Sequence, residues 1–136
     1  MNKIYLSWDD VNHLVDKLAI EINSYPTQPT YVTGLARGGL IPAVMLSHKT
    51  NLKYISSDKL NTVPYIDVLI VDDIADSGET LSQYTSWNTA VLHYKLQSEH
   101  IPTYYAEIVP DNIWMSYPWE KDDARPIQDY LKNDKK

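Results

Sequence analysis

The run from Val68 to Thr80 reads VLIVDDIADSGET and gathers the residues best suited to chemistry. An apolar stretch ends on two adjacent carboxylates, Asp72 and Asp73. Two apolar residues later comes Asp76-Ser77-Gly78-Glu79-Thr80, whose pattern predicts the opening of a helix. Successive backbone N–H groups at a helix start, with a glycine permitting close approach, suit a phosphate. The hydroxyls of Ser77 and Thr80 add donors. Carboxylates beside a phosphate repel it unless they bind something else. Vicinal sugar hydroxyls and a hard cation such as Mg²⁺ are natural partners for Asp72 and Asp73. Helix capping accounts for Asp76 or Ser77, but it does not require three acids on one loop.

A second segment, Gly34 to Pro42, reads GLARGGLIP. Gly38 and Gly39 beside Arg37 allow a backbone to wrap around another anion. Taken alone, such a turn is as readily a tight connection into a helix. The four glycines of the chain all fall in these two segments. No Gly-Lys-Ser/Thr occurs, so neither segment is a P-loop. The absence of cysteine removes disulfides, thiolate metal sites and a cysteine nucleophile together. His13, His48, His93 and His100 have no metal-ligand spacing and read as structural or surface residues.

These segments need a scaffold that presents both loops at one edge. Ser7-Trp8-Asp9-Asp10 is a capping-box pattern, and Val11, Leu14, Val15, Leu18 and Ile22 then share a helical face. Pro26 and Pro29 end that helix near Ser24. Tyr31 to Thr33 predicts a short strand, Leu40 to Thr50 a helix with Pro42 in its first turn, and Leu52 to Ser56 another strand. Asp67 to Asp72 is apolar enough for a central parallel strand covered on both faces. Ser77 to Trp87 is predicted helical, and Thr89 to Lys95 extended. Shorter extended pieces follow at Tyr104-Tyr105 and Trp114 to Tyr117. Strands alternating with helices indicate an α/β fold, a parallel β-sheet flanked by helices. Ligands of such sheets bind beyond the carboxyl ends of the strands, where both loops fall.

The 136 residues suit one domain, predicted over 1–120, with a polar tail at 121–136 that is expected to fray in part. The net charge of -6 argues against broad nucleic-acid binding, which needs a positive face. No apolar stretch approaches the ~18 residues of a membrane span. No basic region followed by an apolar run opens the chain, so a cytoplasmic location is expected.

The apolar strand, the two acids and the D-[ST]-G-x-T ending resemble the PRPP-binding loop of type I phosphoribosyltransferases. The resemblance extends over most of residues 3–120. The opening IYLSWDDVNHLVDKLAIEI, LARGGLIP, the Asp72 loop, His93-Tyr94-Lys95 and WMSYPWE at 114–120 follow the order of compact xanthine/guanine/hypoxanthine-type members. The implied fold is that of this family with a reduced hood and a short lid loop. By this resemblance Asp72 and Asp73 hold the ribose hydroxyls and Mg²⁺, and Asp76, Ser77, Gly78, Glu79 and Thr80 hold the 5′-phosphate. Ala36, Arg37, Gly38 and Gly39 form the pyrophosphate loop, with a non-proline cis peptide expected at or next to Ala36-Arg37. Lys95 meets the purine 6-oxo group, Trp114 stacks on the base, and the main chain of Met115 meets the purine edge. A cationic donor prefers a keto oxygen to an amino group, in keeping with that assignment.

The implied reaction transfers the 5-phosphoribosyl group of PRPP to N9 of a 6-oxopurine, giving a nucleoside monophosphate and pyrophosphate. Asp76 and Arg37 are the catalytic candidates, and a homodimer or higher assembly is expected. One departure stands out, since only Ser57 to Ile66 separates two strands where many members carry a long closing loop. It keeps open a PRPP-sensing regulator with little turnover, and a transferase for another nucleobase is a separate alternative.

Overall fold

The computed structural model describes residues 2–120. The predicted tail at 121–136 lies outside the described residues. Strand β1 (Asn2–Tyr5) leads to helix α1 (Trp8–Ser24), then β2 (Tyr31–Gly34), α2 (Leu40–Lys49) and β3 (Lys53–Tyr54). Strands β4 (Val68–Ala75), β5 (Asn88–Tyr94), β6 (Tyr104–Ile108) and β7 (Ile113–Ser116) follow. Five strands form one parallel sheet in the order β3-β2-β4-β5-β6, while β1 and β7 pair in parallel beside it.

Helix α1 begins where the capping box predicts. The Ser7 hydroxyl accepts from the Asp10 N–H, and the Asp10 carboxylate accepts from the Ser7 N–H. Its apolar face, including Val11, Val15, Leu18 and Ile22, packs with α2 on Leu69 and Val71 of β4 and Ala90 and Leu92 of β5. The alternate residues Val68, Ile70 and Val91 point to the other face, where Leu60, Leu81, Tyr84 and Trp87 cover them. Strand β4 is therefore central and covered on both sides, as its continuous apolar run requires.

That second cover differs from expectation. Residues 77–87 form no α-helix; a single 3₁₀ turn, Leu81–Tyr84, stands in its place. The segment is rich in serine and threonine, whose side chains compete for backbone groups. Ser82 Oγ donates to the Gly78 carbonyl at 2.7 Å. The rings of Tyr84 and Tyr65 both pack edge-on against Trp87, so aromatic contacts hold the segment.

Other boundaries move as well. Strand β4 runs through the acidic pair to Ala75 instead of ending at Asp72, because Ile74 and Ala75 pair with His93 and Tyr94. The predicted Leu52–Ser56 strand reduces to Lys53–Tyr54 at the sheet edge. Strand β1 has no sequence signal because all four of its residues are exposed. Between β3 and β4 lie only two 3₁₀ turns, Ser57–Thr62 and Tyr65–Asp67. Among the described residues no helix is long and apolar enough to cross a membrane.

Candidate active site

The two loops singled out in the sequence meet at the carboxyl end of the sheet. The Leu35 N–H donates to the Val71 carbonyl at 2.9 Å, and the Gly39 N–H closes the turn onto the Leu35 carbonyl at 2.8 Å. A Cβ on Gly38 would run into the Asp73 carboxylate, so glycine here lets the arginine loop lie directly on the acidic pair. The Ala36-Arg37 peptide is cis, as the resemblance implied.

Asp72 and Asp73 are half-buried on β4. The Asp72 carboxylate accepts from the Asp73 N–H at 2.9 Å, and the Asp73 carboxylate from the Ile74 N–H at 2.8 Å. Burial pushes the Asp73 carboxyl up to about 6 against a lowering hydrogen bond with Asp72, and Glu120 raises it further. Two adjacent carboxylates of this kind fit a hard divalent cation, which a protein commonly holds through one or two carboxylates while substrate oxygens complete the shell. No larger metal-binding cluster occurs among the described residues.

Beyond Ala75 the chain leaves the sheet and curls around a shallow, open cleft lined by Asp72, Ile74, Asp76 and the run from Ser77 to Leu81. Gly78 has a φ of +81°, a left-handed conformation that side chains resist. The phosphate-type cradle is thus a loop and not the helix N-terminus expected from sequence. The 98–100 segment packs against this loop at Gly78, with the Glu99 N–H donating to the Ser77 carbonyl at 2.8 Å.

Lys95 follows β5, and its side chain is 1% exposed. Its ammonium donates to Asp76 Oδ2 at 3.1 Å and to the Asp111 carbonyl at 3.1 Å. The other Asp76 oxygen accepts from Gln97 Nε2 at 2.5 Å. Asp76 and Lys95, read separately in the sequence, therefore form one charged pair. Gln97 and Asp111 were not anticipated. A carbonyl acceptor leaves no mark in a sequence, and Gln97 lies in the short hood with no motif around it.

Trp114 and Met115 lie on β7 opposite Lys3 and Ile4 of β1, and both are buried. Among the described residues no hydrogen bond or ring contact joins Trp114 to Lys95 or Asp76, and its indole N–H is buried without a partner. The Met115 side chain belongs to the core, which leaves its main chain for any edge contact. Tyr117, just beyond β7, donates from its hydroxyl to the Asp73 carbonyl at 3.1 Å. Burial holds that hydroxyl well above its ordinary pKa, reinforced by Asp73, Asp72, Glu120 and Asp76.

Comparison with known proteins matches this arrangement. No family model matches the chain. It is 23% identical over 143 residues to the xanthine-guanine phosphoribosyltransferase of Cereibacter sphaeroides, covering 85% of this chain and 86% of the relative. A solved protein of Neisseria gonorrhoeae with bound ppGpp superposes with a TM-score of 0.69 at 25% identity, covering 90% of this chain and 91% of its own. The purine phosphoribosyltransferase of Pyrococcus horikoshii superposes with a TM-score of 0.71 at 31% identity, over 93% of this chain and all of its own. With that identity over a whole relative, and with the acidic strand end, the glycine loop and the buried lysine at one edge of the sheet, the chain belongs to the purine phosphoribosyltransferases of the type I fold.

Proposed function

We propose that this phosphoribosyltransferase carries the 5-phosphoribosyl group of PRPP to N9 of a 6-oxopurine (hypoxanthine, guanine or xanthine), releasing pyrophosphate and a nucleoside monophosphate. The observation that carries this reading is Lys95, a buried cation bonded to Asp76 at the edge of the cleft. An ammonium has three donors. Two are used by Asp76 and the Asp111 carbonyl, and the third addresses a purine oxo group, which adenine lacks.

The remaining roles follow from position. Asp72 and Asp73 receive the ribose hydroxyls and Mg²⁺, and the 76–80 loop receives the 5′-phosphate. The cation, when bound, neutralises charge on the departing pyrophosphate. Arg37 and the main chain of Ala36, Gly38 and Gly39 hold that group as the C1–O bond breaks and N9 bonds to C1. Positive charge developing on the ribose is met by the acidic pair. Asp76 accepts the proton leaving purine N7 as N9 becomes substituted. Trp114 supplies a stacking surface beside the base, and the main chain of Met115 meets its edge. We place the protein in purine salvage in the cytoplasm as a homodimer, an assembly supported by exposed aromatic residues such as Tyr54 and Tyr65.

The test is to incubate the protein with Mg-PRPP and each of hypoxanthine, guanine, xanthine and adenine, following pyrophosphate and nucleotide. Product is expected with 6-oxopurines, not with adenine, and not after chelation of Mg²⁺. No nucleotide with any of the three overturns the specificity. A second reading is a sensor of phosphorylated ribosides with little turnover. It is supported by the short 57–67 connection and by the gonococcal relative with ppGpp. Tight PRPP binding without product for any base would select it.

A further inference from the structure

His93 on β5 and Tyr117 beyond β7 are 0% and 2% exposed, yet both carry polar atoms that need partners. Tyr117 Oη lies 3.1 Å from the Asp73 carbonyl, which can only accept. The phenol has one proton, so the 2.8 Å contact between Tyr117 Oη and His93 Nδ1 is satisfied at the same time only if the imidazole donates. His93 is then the Nδ1–H tautomer. Its Nε2 is buried without a hydrogen bond and faces Glu107 at 3.6 Å, with Lys17 3.7 Å from the other Glu107 oxygen.

Tyr117 is held from every side. Its N–H donates to the Glu120 carboxylate at 3.0 Å, and its ring stacks on Trp119 at 5.0 Å and 4°. It also stands three residues after Trp114 in the chain. The one hydroxyl therefore links the strand assigned to the base with the main chain of the acid pair assigned to ribose. We propose that Tyr117, oriented by His93, is a positioning residue that fixes Asp72–Asp73 relative to β7 and so sets the affinity for PRPP. This rests on the ribose role proposed for the acidic pair.

The full chain is compared as wild type, Tyr117→Phe, His93→Leu and His93→Asn, the last retaining an N–H donor near the Nδ1 position. Mg-PRPP binding is measured by calorimetry, and KM and kcat with hypoxanthine. Tyr117→Phe and His93→Leu should weaken PRPP binding and raise its KM about tenfold, the scale usual for residues behind a direct ligand. The kcat should move much less, and His93→Asn should recover most of the affinity. Ring ¹⁵N shifts of wild-type His93 should report a protonated Nδ1. If Tyr117→Phe fails to fold, the two His93 variants decide the matter alone. PRPP affinity within twofold of wild type in folded Tyr117→Phe or His93→Leu, equal impairment of His93→Asn and His93→Leu, or a protonated Nε2 overturns the proposal. A wild type that does not bind Mg-PRPP overturns the ribose reading first, and this inference with it.

Discussion

Lys95 Nζ donates to Asp76 Oδ2 at 3.1 Å, bridging the end of β5 and the loop after β4 with both partners largely withdrawn from water. Removing one member of such a pair leaves the other without its counter-charge, whereas removing both relieves much of the penalty. Lys95→Met should therefore destabilise the fold by about 3 kcal/mol. The double variant with Asp76→Asn should be more stable than additivity allows, with a coupling of ~1–3 kcal/mol. Urea unfolding of the four proteins gives the cycle, and strict additivity would show that the pair is not coupled.

Asp76→Asn alone keeps an oxygen for Lys95 but loses the basicity needed to take a proton from the purine. Its kcat should fall by ~10²–10⁴-fold, the range for a positioned general base. The KM for PRPP should change far less, because Asp72 and Asp73 remain. Steady-state kinetics with varied PRPP at saturating hypoxanthine separate the two parameters. An unchanged kcat removes Asp76 from the proton path.

Gly78 combines a left-handed backbone with close neighbours. A Cβ there would collide with Ser98 Oγ and lie 2.5 Å from the His100 nitrogen. Both effects act against Gly78→Ala, which should lose about 1–3 kcal/mol of stability. It should also weaken PRPP binding, since the cradle wall must move. Denaturant midpoints and calorimetric titration test both halves. A variant as stable as wild type would show that the loop relaxes freely.

The α1 helix was legible because its signals are local: Ser7 and Asp10 three residues apart, and apolar residues at helical spacing. The arginine-glycine loop was legible because motif and element boundary coincide, whereas the acidic pair was legible as a motif although β4 runs on past it to Ala75. In the 77–87 segment Leu81 and Tyr84 have helical spacing, but serine and threonine side chains compete for its backbone groups and its aromatic contacts include Tyr65, which lies well upstream. Asp111 contributes a carbonyl, which any residue type could supply. His93 and Tyr117 lie 24 positions apart and meet only because the end of the separate β1-β7 pair lies against β5 of the main sheet. Their types, read one at a time, gave no reason to join them.

Burial pushes His93 down to about 4 from an ordinary value near 6.5, against an upward pull from Glu107 and with Lys17 reinforcing the fall. The groups facing it are Tyr117 beyond β7, Glu107 on β6 and Lys17 on α1. Since the folded value lies below the unfolded one, the unfolded chain takes up the proton first as pH drops. The contribution of neutral His93 is thus fully present above about pH 6.5 and is lost progressively toward pH 4. A shift of this size corresponds to roughly 3 kcal/mol across that window. Asp73 acts in the opposite sense, because its raised pKa favours the folded state on protonation. The wild-type curve therefore mixes the two effects. The difference in unfolding free energy between wild type and His93→Leu cancels the Asp73 part. That difference should shrink as pH is lowered from 7 to 4. A difference that stays constant over the range would mean that His93 titrates normally in the folded protein.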